Sequence, residues 1–188
     1  MGKAEATREK ILNAALDEFA AFGIAGARVG RISKKAACNK NLIYVYFENK
    51  ETLFATVLQK YIDRAFEEIP FTPRDLPGYA VKVFDFAMTN PKLIRLMRWA
   101  HLEEVSVNLS ERMAIYREKL QQITDAQNSG HISAVFPPSV LLATVMTLAT
   151  AWTPTNPFGP VLDSEVTENL DVLRTSISRE ITLMVQKT

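Results

Sequence analysis

Apolar residues recur at steps of three and four along nearly the whole chain, and this spacing places them on one face of a helix. The first such stripe lies between Thr7, a predicted N-cap, and Gly23, a residue suited to the end of a helix. Its members are Ile11, Leu12, Ala15, Phe19 and Phe22. Similar stripes follow, and no stretch has the pattern of a strand-turn-strand array, so we predict an all-α protein of about nine helices.

Two short helices are predicted next, from about Val29 to Ala36 and from about Lys40 to Tyr46, with Asn39 as the cap of the second. A helix of two turns is not stable alone, so it needs a core beneath it. The residues expected in that core are Ile11, Ala15, Phe19, Ile32, Ala36, Leu42 and Phe47. With a helix before them and another capped by Asn49, the pair has the helix-turn-helix arrangement of DNA-binding proteins.

A proline-rich stretch, residues 69–77, marks the predicted domain boundary, because proline has a fixed φ angle and no amide hydrogen. We expect a helix-turn-helix DNA-binding domain over residues 1–50 and a connecting fourth helix over about 50–68. An effector-binding and dimerisation domain, also helical, is expected over residues 69–188.

The composition is that of a globular protein, with 47% hydrophobic and 23% charged residues among 188. The formal net charge is only +1, but residues 1–50 carry nine Lys or Arg against five Asp or Glu. This excess lies where the predicted DNA-binding domain could meet phosphates, although on charge alone a random fluctuation explains it equally well.

The compartment is predicted from two further features. The single cysteine, Cys38, permits no internal disulfide and fits a reducing environment. The most apolar stretch, Val140 to Trp152, is too short to span a bilayer. We therefore expect a cytoplasmic protein that does not bind a membrane.

Candidate catalytic and metal-binding groups are few. The sequence places His101, His131 and Cys38 in no cluster with metal-ligand spacing, and it contains no glycine-rich phosphate loop. Glu103 and Glu104 are adjacent on a helix, so they point apart rather than facing each other as a general acid and base. The sequence predicts no catalysis, no metal and no cofactor.

The segment RVGRISKKAACNKNLIYVYFENKETLF resembles the DNA-binding domain of the tetracycline-repressor (TetR) family. The resemblance covers about residues 7–58. It depends on Asn39 as a small polar cap, on the Tyr-x-x-Phe pair of Tyr44 and Phe47, and on Lys50 at the start of the fourth helix. It implies an all-α protein with an N-terminal helix-turn-helix domain and a helical domain that dimerises and binds an effector.

Three positions depart from the family pattern. Ala37 stands where the family usually has glycine, Cys38 where valine is usual, and Arg31 where an acidic residue is common. A residue with a side chain costs on the order of 1 kcal/mol in a left-handed turn conformation. The turn is therefore expected to be either slightly strained or differently shaped, and the register of base reading stays open.

The resemblance also implies a set of DNA contacts. Lys40 and Asn41 would approach base edges or the nearest phosphate, and Tyr44 would donate its hydroxyl to a phosphate. Tyr46 would reach a base methyl group or the backbone, and Lys50 would meet a phosphate at the N-terminus of the fourth helix. The expected DNA-binding residues are Arg28, Lys40, Asn41, Tyr44, Tyr46 and Lys50.

Weaker candidates for phosphate contacts are Arg31, Lys34 and Lys35. The two lysines are equally well explained as a solvated face, and Tyr44 could instead cover the edge of the core.

A helix-turn-helix dimer needs an interface, and the two C-terminal helices are the candidates. The helix from Val140 to Trp152 is apolar almost all round, and the last helix carries a single apolar stripe. The predicted interface residues are Val140, Ala143, Thr147, Ala151, Leu170, Leu173, Ile177 and Ile181. In the alternative, both stripes pack inside one subunit.

The middle segment NPKLIRLMRWAHLEE resembles the effector domains of some family members. The residues predicted to line an effector pocket are Phe84, Met88, Met97, His101, Tyr116, Met146 and Trp152. Methionines and aromatic residues at helical spacing also occur as ordinary core, so that alternative stays open for each.

Three functions are compatible with these patterns. The leading hypothesis is a repressor that binds double-stranded DNA as a homodimer and is released by a small, largely apolar effector. The second is a helical protein-interaction module that no longer reads DNA, which the departures at Ala37 and Arg31 favour. The third is a small helical enzyme that depends on His101.

Overall fold

The computed structural model of the chain describes residues 2–105 and 109–187. These residues contain eleven helices and no strand. In chain order the helices are α1 (Lys3–Gly26), α2 (Val29–Lys35), α3 (Lys40–Phe47), α4 (Lys50–Glu68), α5 (Leu76–Thr89), α6 (Pro91–Leu102), α7 (Leu109–Asn128), α8 (Pro138–Thr150), α9 (Gly159–Leu162), α10 (Ser164–Glu168) and α11 (Leu170–Val185). The predicted fold class is confirmed: the protein is all-α, with an N-terminal helix-turn-helix and a helical C-terminal domain.

Two compact units make up the described chain. The first comprises the described residues of 1–64 and 92–108, and the second comprises those of 65–91 and 109–188. Helix α6 therefore belongs with the helix-turn-helix, whereas the predicted boundary near residue 69 placed it in the second domain.

The first unit is built on a core of fully buried aliphatic and aromatic residues beneath α2 and α3. Phe19 of α1 and Phe54 of α4 meet edge to face, with ring centroids 5.1 Å apart. Ile43, rather than the predicted Leu42, is the buried aliphatic residue of α3. Helix α1 also begins at Lys3, so Thr7 is not its cap, and the Thr7 hydroxyl donates to the carbonyl of Lys3.

Helix α1 breaks at Gly23, and α6 satisfies the backbone groups that the break frees. Gly23 has φ 65° and ψ −171°, so the amide of Ile24 turns away from the helix and donates to both carboxylate oxygens of Glu103, at 3.0 and 3.1 Å. The carbonyl of Ala20 accepts instead from Arg95 Nε at 2.9 Å and Trp99 Nε1 at 3.3 Å. These bonds fix α6 on α1.

The second unit has its own core, in which α5 packs against α8 and α11. Phe84, Leu141 and Val145 lie at its centre with almost no exposure. The final predicted helix is divided: α10 ends at Glu168, and Asn169 caps α11 by accepting from the amide of Val172. The short helix α9, between α8 and α10, was not predicted, and together with this division it accounts for the larger number of helices.

Candidate nucleic-acid interface

The turn between α2 and α3 keeps a left-handed residue without glycine. Ala37 has φ 52° and follows the C-cap of α2. Its amide donates to the carbonyl of Lys34 at 3.3 Å, and the amide of Cys38 donates to that of Ser33 at 3.0 Å. This is the Schellman pattern, which glycine usually supplies. Of the two alternatives, the turn therefore has the shape that favours glycine, and the alanine carries the strain.

Helix α3 is held in place by an N-terminal cap and by two buried side chains. Asn39 accepts the amide of Asn41 on Oδ1 at 2.8 Å, so its predicted capping role is confirmed. Ile43 and Phe47 are buried beneath the helix and fix its inner face. Because the core beneath it stabilises this short helix, the outer face of the helix is free to consist of polar side chains.

Three of the predicted DNA-binding residues share this outer face. Lys40, Asn41 and Tyr44 are all exposed. The ammonium of Lys40 lies 5.9 Å from the centroid of the Tyr44 ring, a cation–π distance that brings a charge and a phenol together. Tyr44 is 42% exposed, so its ring is accessible from solvent on this face.

Val45 also lies on this face, although it was not among the predicted DNA-binding residues. Its side chain is 77% exposed, and it stands between the exposed Tyr44 and the half-buried Tyr46. This apolar side chain is therefore mostly in contact with solvent, and the methyl group of thymine is the apolar feature of the major groove. The sequence could have indicated this residue, because Val45 is apolar but falls outside the buried stripe of α3.

Tyr46, Lys50 and Arg28 are placed differently from the outer face of α3. The Tyr46 hydroxyl donates to the carbonyl of Ala4 at 3.3 Å, so this residue joins α3 to the start of α1. Lys50 Nζ donates to the carbonyl of Ala27 at 3.4 Å. Arg28 is exposed beside this contact, so the two cations lie near the start of α2 rather than on α3.

Arg31 is tied to α1. Its Nε lies 2.7 Å and its Nη2 2.5 Å from Oε1 of Glu18, which also accepts the amide of Arg28 at 2.8 Å. Burial alone would raise the pKa of Glu18, but the hydrogen bonds from Arg31 and Arg28 outweigh it and lower the pKa below its ordinary value. Arg31 also covers the Phe22 ring at 4.3 Å.

The two lysines at the end of α2 differ. Lys35 Nζ lies 2.6 Å from Asp17, which also pairs with Lys92 of α6. Burial would raise the pKa of Asp17, and the hydrogen bonds from the two lysines lower it overall. Lys34 is exposed, and no ion pair is seen for it among residues 2–105 and 109–187. Of the pair, Lys34 is the better candidate for a phosphate contact.

The predicted pocket residues are divided between the two units. Phe84 is fully buried in the core of the second unit, and the partly buried residues packed against that core include Met88, Tyr116, Met146 and Trp152. Met97 and His101 lie on α6 in the first unit, where both are exposed. Five of the seven predicted pocket residues therefore belong to the second unit, where they share one core.

The predicted interface residues also separate into two groups. Leu173, Ile177 and Ile181 are buried in the core of a single chain, as the alternative of packing inside one subunit requires, so they are removed from the predicted interface. Ala151 and Leu170 are half-buried. Val140, Ala143 and Thr147 are exposed along one face of α8.

Within the described ranges no group of three or more His, Cys, Asp or Glu residues could hold a metal ion. None of the helices described is both long enough and apolar enough to cross a bilayer.

Comparison with known proteins adds two family matches. The model for bacterial regulatory proteins of the tetR family matches residues 11–57, and the model for the tetracyclin repressor-like C-terminal domain matches residues 75–181. The HTH-type transcriptional repressor SCO4008 of Streptomyces coelicolor is 38% identical over 148 residues, which are 77% of each protein.

Solved structures agree with this. The transcriptional regulator SCO4942 of Streptomyces coelicolor superimposes with a TM-score of 0.85 at 32% identity, over 97% of this chain and 99% of that one. The fatty acid degradation regulator FadR of Bacillus halodurans has the same fold, with a TM-score of 0.69 at 19% identity over 96% and 95% of the two chains.

Proposed function

The chain belongs to the TetR family of bacterial transcriptional regulators, and on that premise we propose that it is a cytoplasmic repressor that binds a pseudo-palindromic operator as a homodimer. A small, largely apolar effector then releases it from DNA. The observation that carries the proposal is the outer face of α3, where Lys40, Asn41, Tyr44 and Val45 are exposed together on a helix fixed from beneath.

The chemistry of this face suits a major groove. Lys40 and Asn41 supply donors for phosphates or base edges, and Tyr44 supplies a hydroxyl. Val45 supplies an apolar contact for a thymine methyl group, the role that the sequence analysis gave to Tyr46. Arg28, Lys34 and Lys50 add positive charge at the start and end of α2 and at the start of α4, where they can meet phosphates.

A dimer is supported by an exposed stripe in the second unit. Val140 of α8 is 49% exposed, and Ala143 and Thr147 continue the stripe with small side chains. Val172 and Leu183 are exposed on α11, which contacts α8. Two copies that bury these faces against each other would form a four-helix bundle and present two α3 helices to successive grooves.

The effector would bind in the second unit. Met88, Tyr116, Met146 and Trp152 are partly buried against its core, and methionine side chains can repack around a ligand. In the proposed dimer, the separation of the two helix-turn-helix domains decides whether both half-sites can be bound. An effector that binds more tightly to a form with another separation would shift the dimer away from the form that fits the operator.

The protein-interaction alternative depended on Ala37 and Arg31, and both have structural explanations that leave α3 intact. Ala37 keeps the turn conformation, and Arg31 pairs with Glu18. The enzyme alternative has little support, since the family is one of regulators and His101 is an exposed residue of α6.

The test is binding to the promoter DNA next to the protein's own gene, measured by mobility shift at several salt concentrations. A specific shift that weakens steeply with salt is expected. Absence of a salt-sensitive shift at that promoter and at neighbouring ones would contradict the proposal.

A further inference from the structure

Lys119 of α7 is a buried lysine in the second unit. Its side chain is only 8% exposed, and its ammonium lies 5.0 Å from the ring centroid of Phe66, 5.2 Å from that of Phe71 and 5.3 Å from that of Tyr79. In the part of the chain that the structure describes, no ion pair joins it to a carboxylate. A buried positive charge without a counterion is costly, even when ring faces surround it.

The hydrogen bonds around Lys119 leave donors in excess. An ammonium has three N–H groups, and one of them donates to the hydroxyl of Tyr79 at 3.0 Å. That hydroxyl donates in turn to the sulfur of Met146 at 3.9 Å, a weak acceptor. Two ammonium hydrogens and one phenol hydrogen are therefore available to a stronger acceptor.

The phenol stays a donor at neutral pH. Burial raises the pKa of Tyr79 to about 12, with a further contribution from Tyr116, and the side chain is 2% exposed. Burial also lowers the pKa of Lys119, as expected for an ammonium that water no longer solvates. An anion beside Lys119 would reverse that effect, because opposite charges favour each other's ionised form.

We infer that Lys119 and Tyr79 form a receptor for the carboxylate of an apolar effector. The inference rests on the proposed function, since it names the chemical class of the effector. One carboxylate oxygen would accept from the ammonium, and an oxygen of the same group would accept the Tyr79 hydrogen in place of Met146. The flexible thioether can move aside, and the apolar part of the effector would then contact Met146 and Tyr116.

The test uses three carboxylates with their neutral amides and related ammonium ions. These are benzoate, phenylacetate and octanoate, the amides of the same acids, and benzylammonium and octylammonium. Dissociation constants are measured by calorimetry on the full-length chain. At least one carboxylate should bind on the order of tenfold or more tightly than its amide, the factor expected for hydrogen bonds to a charged group.

Two variants and one control locate the preference. Lys119→Met should abolish the preference for carboxylate over amide, and Tyr79→Phe should reduce it. If the first variant does not fold, as judged by circular dichroism, the second still decides. Lys82→Met, which removes an exposed lysine of α5, should leave the preference unchanged.

Three results overturn the receptor: no carboxylate binding better than its amide, a preference that persists in Lys119→Met or is unaltered in Tyr79→Phe, or tighter binding of the ammonium ions. DNA affinity measured in the same samples separates the two proposals. A carboxylate that binds through Lys119 without weakening DNA binding supports the receptor and contradicts release by the effector. DNA binding without any carboxylate preference contradicts only the receptor.

Discussion

Arg31 Nε donates to one carboxylate oxygen of Glu18 at 2.7 Å, and Arg31 Nη2 forms an ion pair with the same oxygen at 2.5 Å while it donates to the carbonyl of Gly26 at 2.9 Å. Because that oxygen also accepts the amide of Arg28, the carboxylate of α1 holds the beginning of α2 in place. The basic residue at position 31 is thus a structural part of the helix-turn-helix. Its role follows from Glu18, thirteen positions earlier in the chain.

Arg31→Ala should lower the free energy of unfolding by about 1–2 kcal/mol, because it leaves the buried Glu18 carboxylate with one backbone donor. This value is reduced from that of a fully buried charged pair, since Arg31 keeps 39% of its side-chain exposure. Urea denaturation measures the change. Lys34→Ala on the same helix is the control and should change stability by less than about 0.5 kcal/mol; equal effects of the two changes would contradict the prediction.

Stability should fall in acid through Asp17 and Glu18. Both have a pKa below their ordinary values of 3.8 and 4.5, so the folded state holds their protons more weakly than the unfolded state. Their contribution is complete above those ordinary values and is lost as the pH falls through the lower pKa of the folded state. Urea denaturation between neutral pH and about pH 3 should show the decline.

The acid dependence can be assigned with Glu18→Gln, which removes one titrating group and keeps its shape. The variant should be less stable at neutral pH and should lose less stability on acidification. An unchanged acid dependence would exclude Glu18 as a source.

Lys40→Ala should weaken operator binding and reduce the slope of log affinity against log salt by about one. Tyr44→Phe should weaken binding several-fold, since one hydrogen bond is worth about 1 kcal/mol, with little change in the slope. Fluorescence anisotropy on operator DNA measures both. Lys82→Ala, on α5, is the control and should bind as the unaltered protein does; normal binding by both α3 variants would favour the interaction-module alternative.

Ala37→Gly should raise the free energy of unfolding by up to about 1 kcal/mol. A left-handed alanine costs roughly 1–2 kcal/mol, and the greater freedom of glycine in the unfolded chain cancels part of the gain. Thermal and urea denaturation measure the effect. Ala36→Gly, at the right-handed neighbour, should instead destabilise; a loss of stability at position 37 would count against strain in the turn.

Ala143→Arg should convert the proposed dimer into a monomer, since it places a charge in the centre of the exposed stripe of α8. Sedimentation velocity gives the oligomeric state, and circular dichroism checks that the helices remain. Ala114→Arg adds the same charge at an exposed position of α7 and should leave the dimer intact. An Ala143→Arg protein that is still dimeric would place the interface elsewhere.

Local signals predicted much of this molecule because they act between neighbouring residues. Asn39 and Asn49 cap α3 and α4, since an amide oxygen can reach the free N–H groups of the next turn. For Ala37, the family resemblance indicated a turn that usually has glycine and left open whether it was strained or differently shaped, and the φ of 52° decides between the two. The error between Leu42 and Ile43 is a shift of one residue in a helix of two turns, where the apolar stripe is too short to fix its phase.

Long-range contacts were not predictable from periodicity. Periodicity grouped α6 with the second domain, because the contact of the α6 segment with α1 depends on Glu103 and Ile24, which are 79 positions apart. Leu173, Ile177 and Ile181 were predicted at the dimer interface for a similar reason. An apolar stripe shows that a helix face is covered, but only the fold shows whether the same chain or a second copy covers it.

The break in α1 at Gly23 limits how this regulator could exchange parts with another one. A chimera that joined residues 1–68 to a foreign C-terminal half would lose Arg95, Trp99 and Glu103, and with them the partners of the Ala20 carbonyl and the Ile24 amide. To transfer the helix-turn-helix domain together with α6, recombination therefore needs one crossover after α4 and one on each side of α6. A single crossover transfers the base-reading helix without its support.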